Sequence, residues 1–333
     1  MIFLLTSNPE VAVKNTTIIR VPELFAKREM SPIAYSTFSN YIRKKYDLDI
    51  IHGNGYTVMD DVTTVHFLRK AFEHRTSESI RQANFPRSEH VFEEIAVKSS
   101  RRLIAPSGMV KEDLVKLYGV REDKISIIHN GVDVNEFTVP SSEVKAKARC
   151  IMGLNDESVC VGFVGPAGSK GLGRLIYSLP RVKNRVRVLA VNVNETEQSR
   201  YGHMAQKLGV SEIVTLIPRF SDMPLFYKAI DIFALPTRYD TFSMSSLEAM
   251  ASGLPVIASS NAGISEIIED GRNGFVLHDA KDTNSLAELI DLLSCSNALR
   301  KEIGVRARIT AESQTWDKAA VRVIGVYRTL LQR

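Results

Sequence analysis

The chain is poor in cysteine, holds a single tryptophan and has no long apolar run. Its three cysteines, Cys150, Cys160 and Cys295, show neither metal-ligand nor redox spacing. That argues against a disulfide scaffold, a zinc module or a thiol-redox enzyme, and it suits a reducing cytoplasm. No stretch approaches the ~20 apolar residues that span a bilayer. The opening "MIFLLTSNPE" is apolar but short, with no basic leader and no small-residue cleavage site, so it reads as a strand rather than a signal peptide. The chain has no internal repeat, which excludes a solenoid. Its positive charge is spread out, with no basic–aromatic interleaving, so nucleic-acid binding is not expected.

What is present suits a globular protein of two domains. The length is 333 residues, with 44% apolar and 24% charged residues, too long for one ordinary domain. The net charge of +5 by itself fits an anionic small molecule, an acidic membrane surface or nucleic acid without choosing among them. In the second half, short apolar runs at 159–165, 185–193, 213–217, 231–235, 255–259 and 274–278 read as strands. Helical stretches at 172–179, 197–208, 223–229, 245–252, 264–269 and 283–293 separate them. Such alternation predicts a parallel sheet with helices on both faces, which binds ligands at the carboxyl ends of its strands. The first half alternates less cleanly, with strands at 2–6, 16–20, 49–52, 62–66, 102–105 and 125–128 and helices at 33–45, 88–99 and 109–118. The polar stretch 138–150, "TVPSSEVKAKARC", lacks a strand pattern and marks the junction. The expected domains are therefore 1–145 and 146–314, with an amphipathic helix in 315–333 returning toward the first.

The stretch "TRYDTFSMSSLEAMASGLPVIAS" (237–259) carries the chemistry. Gly253 and Pro255 end a helix that a serine at 243, 245 or 246 can cap. Small residues at its start leave backbone N–H groups free, and with the helix dipole these favour an anion such as phosphate. Glu248 lies close by. A carboxylate there repels phosphate but accepts hydrogen bonds from neighbouring hydroxyls, of which a ribose has two. Asp240, on the loop before the helix, can hold a second polyhydroxyl group. An acid near a helix start is also common with no ligand at all, as an answer to the dipole. Upstream, "GPAGSKGL" (165–172) puts a Gly-rich turn and Lys170 after a strand, the parts of a phosphate cradle. It is not a Walker loop, since Gly171 follows the lysine, and its glycine spacing is not that of the dinucleotide fingerprint. A plain surface turn would also read this way.

"DTFSMSSLEAMASGLPVIAS", continued by "NAGISEIIEDGRNGFVL" (261–277), resembles the signature of the retaining glycosyltransferase family 4, of GT-B fold. "LIAPSGMVKEDLVKLYGVREDKISIIHNGVDVNEF" (103–137) resembles the end of that family's first domain, and the likeness covers about residues 62–330. "FPRSEHVFEEIAVKSSRRLIAPS" is similar to members that build lipopolysaccharide cores. The resemblance implies an α/β chain of two Rossmann-like domains facing a central cleft. It also implies metal-independent transfer of a sugar from a nucleotide-sugar donor, UDP- or GDP-linked, with no cofactor. Glu248 would bind the ribose, and Asp240, where the family usually has Glu, the donor sugar. Gly165, Lys170 and the amides of Phe242, Ser243 and Met244 would meet the diphosphate and sugar, and Ile217 the base. His66 would face the donor sugar, although alone such a histidine is more often a satisfied core or rim residue. Asn130 and Gly131 would enter the cleft or acceptor side.

Three departures stand out. Pro166 follows Gly165 where the family carries arginine, which makes Arg219, or else Arg174, the replacement cation. Asp240 is one methylene shorter than Glu. The amino end reads as a first domain short of one strand and one helix. The expected acceptor is a glycan or glycolipid used in cell-surface polysaccharide synthesis. The expected place is the cytoplasm, with peripheral contact at the inner membrane face. Between Arg69 and Arg121, eleven Lys and Arg stand against seven Asp and Glu. The alternative is a non-catalytic GT-B subunit that binds a nucleotide or partner.

Overall fold

Every strand pairing in the computed structural model is parallel among its described residues, 3–6, 17–20, 31–55, 58, 60–76, 87–154 and 156–332. Parallel neighbours need crossover connections, and α-helices supply most of them within residues 129–321. The chain divides into two compact units, Met1–Ile128 with Arg322–Arg333, and His129–Val321. Both are parallel-sheet, Rossmann-like α/β units. The division falls before the polar stretch 138–150. Residues 7–16, on which the expected shortening of the amino end turns, lie outside the described residues.

In the first unit β1 (Phe3–Thr6) pairs with β2 (Thr17–Arg20). Helix α1 (Ser31–Tyr46) leads to β3 (His52–Asn54) and β4 (Val62–Thr64), then α2 (Arg69–Thr76) and α3 (Arg87–Ser99). Next come β5 (Arg102–Ala105), α4 (Gly108–Tyr118) and β6 (Ile125–Ile127), and strands β3 to β6 form one sheet in chain order. Helix α2 escapes sequence reading because "RKAFEHRT" is mostly polar; it is held by burying Ala71 and Phe72. The last helix, Trp316–Leu331, gives its later turns to this unit, where the Tyr327 hydroxyl lies 2.6 Å from His52 Nδ1.

The second unit opens with α5 (Ser142–Ile151), β7 (Val159–Val164), α6 (Ala167–Lys170) and α7 (Leu172–Ser178). It continues through β8 (Val186–Val191), α8 (Glu195–Lys207), β9 (Val214–Ile217), α9 (Met223–Ala229) and β10 (Ile232–Leu235). It closes with α10 (Met244–Ala251), β11 (Val256–Ser259), β12 (Phe275–Leu277), α11 (Thr283–Cys295) and α12 (Asn297–Glu312). The six strands run in the order β12-β11-β10-β7-β8-β9. Two apolar layers sandwich the sheet, one around Phe226, Phe233, Leu247 and Met250, the other around Leu172, Leu175, Ile176 and Ile290.

Several elements of this unit differ from the sequence reading, among them α12, which it did not contain. The polar stretch after 138 is α5, capped by Ser141, whose Lys145 and Arg149 stand one turn apart and both reach Asp231, at 2.6 and 3.0 Å. The same carboxylate accepts the Cys160 N–H, so a charged side of the helix is fixed to the start of β7. The turn 165–172 contains a helical turn, α6, and the predicted helix 264–269 is a 3-10 segment, Gly263–Ile267.

Helix α10 is fixed from behind by α12. Arg308 Nη1 donates to the Ala251 and Phe137 carbonyls at 2.6 Å each, meeting the carbonyl end of α10 with a cation. Gly304 lies against the Gly253 carbonyl, where a Cβ would collide with backbone. Gly304→Ala is therefore expected to cost about 1–3 kcal/mol by overpacking. Urea unfolding of the two proteins checks this; equal midpoints would show that α12 shifts freely.

Candidate functional site

Strand β7 lies in the middle of its sheet. The chain moves outward from it to β8 and β9, then returns to lay β10 on its other side. The connections leaving β7 and β10 thus run in opposite directions from adjacent carboxyl ends, and such a switch point leaves a crevice. Lys170 follows β7 and Asp240 follows β10; Lys170 Nζ lies 3.5 Å from Asp240 Oδ2. Gly165 has φ +108°, a region closed to most side chains, and a Cβ there would sit 3.1 Å from Lys170 Cδ. The glycine thus gives both the turn and the space over which the lysine lies. Gly171, at φ +93°, ends α6 directly after Lys170.

The Asp240 loop is tied down on its far side. The Asp240 N–H donates to the Asn261 carbonyl, and the Gly263 N–H donates to the Asp240 carbonyl, both at 3.0 Å. Asp240 Oδ1 accepts the Phe242 N–H at 3.3 Å, so that amide, expected to meet a ligand, is already used. Ser243 is the helix cap, its Oγ accepting the Ser246 N–H, and it holds φ +81°, rare for a residue with a side chain. Among the described residues no hydrogen-bond acceptor meets the N–H groups of Ser243, Met244 and Ser245. These donors, at the positive end of the α10 dipole, suit an anion.

Glu248 stands in the second turn of α10. The buried Tyr227 hydroxyl lies 2.9 Å from Glu248 Oε2 and 2.9 Å from the Ser245 carbonyl. One hydroxyl proton cannot satisfy both acceptors. Burial, opposed by Tyr227 and Lys170, raises the Glu248 pKa above the ordinary carboxylate value. Burial and the neighbouring Glu248 charge push the Tyr227 phenol well above its own.

Sequence reasoning therefore places Gly165, Lys170, Asp240, Phe242, Ser243, Met244 and Glu248 along one crevice and its helix. Ile217 ends β9 at the same carboxyl edge, and Arg219, exposed, follows it. Gly131 packs against the backbone of Thr315 and Trp316, and Asn130 precedes it. His66 follows β4 in the first unit, where burial lowers its pKa below the usual 6.5. Two residues escaped notice. Tyr227 carries no motif, and its burial decides its role. His129 stacks on Phe242 at 5.3 Å and lies 3.4 Å from Glu266 Oε2, so it joins the 129–131 segment to the start of α10. Its position beside Asn130 was the available signal.

Two family models match: Glycosyl transferases group 1 over residues 144–310, and Glycosyltransferase Family 4 over residues 2–136. An uncharacterized glycosyltransferase of Methanocaldococcus jannaschii is 29% identical over 249 residues, 73% of this chain and 64% of that protein. A D-inositol 3-phosphate glycosyltransferase of Xylanimonas cellulosilytica is 29% identical over 257 residues, 74% of this chain and 61% of that protein. The chain thus spans less than two thirds of the length of these relatives. Among solved structures, WaaG, a glycosyltransferase involved in lipopolysaccharide biosynthesis, superposes with a TM-score of 0.78 at 19% identity, covering 96% of this chain and 90% of its own. Anabaena HepE in complex with UDP-glucose superposes with a TM-score of 0.71 at 19% identity, covering 95% and 85%. At such identities the structures show the shared fold.

The cap geometry has a measurable consequence. Ser243→Ala keeps the costly φ and loses the cap, so a loss of about 1 kcal/mol is expected. Ser243→Gly relaxes the backbone and should stay within a few tenths of a kcal/mol of the parent. Denaturant midpoints of the three proteins check the order; an alanine variant as stable as the glycine one would exclude a capping role.

Proposed function

Because the chain belongs to the glycosyl transferases of group 1, we propose that it moves a sugar, with retention of configuration, from a UDP- or GDP-linked donor to a glycan or glycolipid acceptor. The observation that carries this reading is the meeting of Lys170, Asp240 and the free N–H groups of α10 at the switch point, with Glu248 one turn further on. Glu248 would accept the ribose hydroxyls. The diphosphate would lie between Lys170 and the Ser243–Met244 amides, which would stabilise the charge that develops as the sugar leaves. A metal ion is not needed in this scheme. Asp240 would hold the donor sugar, Gly165 would let the phosphates approach, and Ile217 would meet the base. Arg219 would supply a further cation, His66 would face the sugar, and Asn130 and Gly131 would belong to the acceptor side. The Lys170–Asp240 pair has to open or be shared when phosphate enters, so the ligand competes with an internal ion pair.

The HepE complexes with UDP and UDP-glucose support a nucleotide-sugar donor. The likeness to WaaG supports an acceptor in polysaccharide synthesis. No helix among the described residues is long and apolar enough to cross a membrane. Cytoplasmic action, with the basic first-unit helices touching an anionic inner leaflet, completes the proposal. The second reading, a nucleotide-binding subunit without transfer activity, is favoured by Pro166 at the position where the resemblance implies arginine.

Thermal unfolding with UDP, GDP, ADP and dTDP tests the donor site. A ligand at 100 times its Kd adds about 2.7 kcal/mol, or several degrees for domains of this size. One diphosphate is expected to raise the midpoint and Glu248→Ala to abolish the rise; no rise with any of them would refute the site. The ionised form of Glu248 is the better double acceptor, and its pKa is raised. Affinity should therefore fall as pH drops through that raised pKa, and Glu248→Gln should remove this step. Binding curves between pH 8 and pH 5 read the difference. Release of UDP from UDP-glucose on adding a glycolipid acceptor would separate the enzyme from the binding subunit.

A further inference from the structure

A cavity of about 400 Å³ opens in the second unit beside the site at Lys170 and Glu248, and Arg174, the alternative replacement cation of the sequence reading, lines it. Its wall carries four cations brought together from distant parts of the sequence. Arg174 comes from α7, Arg200 from α8, Arg238 from the segment after β10 and Lys281 from the segment after β12. Among the described residues no carboxylate lines it. Arg174 is half-buried, with Nη1 donating to the Pro236 carbonyl at 2.6 Å, and the Arg200 guanidinium lies 5.5 Å from the centre of the Tyr201 ring, which also lines the cavity. Both guanidinium groups are thereby held near the opening.

Two acids border the cavity through its lining residues Gly168 and Lys281, and Asp279 also acts on Arg174 through its charge. Glu197 accepts the Gly168 N–H at 3.0 Å and the Asn194 amide at 2.9 Å, and Asp279 accepts the Lys281 N–H at 2.8 Å. Among the described residues no carboxylate lies within ion-pair distance of Arg174, Arg200 or Lys281. Like charges facing one space repel. A solvated basic surface would disperse such charges over a convex face. Here they converge on a concavity of the size that takes one small molecule.

We propose that this cavity binds a small phosphorylated molecule, separately from the site at Lys170 and Glu248. A phosphate supplies up to two negative charges and several acceptor oxygens, which match guanidinium forks and an ammonium. Tyr201 offers an apolar wall to the rest of the ligand. Gly171 lines the cavity and directly follows Lys170, so an occupant rests on the same short segment that carries the cation of the first site. The two sites are thus adjacent without sharing a side chain.

Calorimetric titration of the full chain with inorganic pyrophosphate at low salt tests this. Three proteins are compared: the parent, Arg200→Gln/Lys281→Gln and Lys170→Gln. Arg200 and Lys281 are exposed, so their replacement should leave the fold intact, as unchanged circular dichroism would verify. The double variant is expected to weaken one class of pyrophosphate binding roughly tenfold or more, while Lys170→Gln leaves that class within about twofold. Three results would overturn the proposal: parent-like binding by the double variant, loss of all binding in Lys170→Gln, or no binding by the parent at about 1 mM.

Discussion

Adjacent parallel strands β7 and β10 send their chains away in opposite directions, and the candidate site depends on that reversal. It sets the loop carrying Lys170 beside the loop carrying Asp240, residues 70 positions apart in sequence. Neither loop could make the site alone. The first supplies a cation over a glycine, the second a carboxylate and a helix start. The ion pair between them balances the two charges within the crevice.

Around that pair the protein arranges burial so that polar groups stay few and aimed. Phe242 is buried and stacked on His129, which fixes the entry to α10. Ser243 accepts a rare backbone conformation to cap the helix, and the donors just after it stay unused. Behind the helix, Arg308 and Gly304 hold its carbonyl end, so both ends are fixed by different means. Glu248 lies beside the phenol of Tyr227, and desolvation raises its pKa. An acid held this way can change its protonation state within a range that an exposed glutamate would leave behind.

Much of the second unit could be read directly. All six of its strands match apolar runs between Gly, Pro and polar breaks, since a strand covered on both faces must be apolar throughout. The reading failed where the tertiary surroundings outweighed local pattern. Helix α5 looks like a polar linker until Asp231, 82 residues after Arg149, receives two of its cations. Helix α2 hides its buried residues among charges. In the first unit the strands are as short as three residues, too short for alternation to stand out. Tyr227 was invisible as a site residue because a tyrosine among apolar neighbours reads as core, which it also is.

The sequence by itself determined the strands of the second unit, most of the helices between them, the kind of sheet and the glycosyltransferase signature around Asp240 and Glu248. Those depend on hydrophobic period, caps and turn residues, which act over a few positions. Only the tertiary structure decided that Lys170 pairs with Asp240, that Phe242 spends its amide on Asp240, that Tyr227 holds Glu248, and that four cations face one cavity. Each of these requires segments far apart in the chain to come within a few ångströms, and burial there changes hydrogen bonding and charge in ways that no local pattern records.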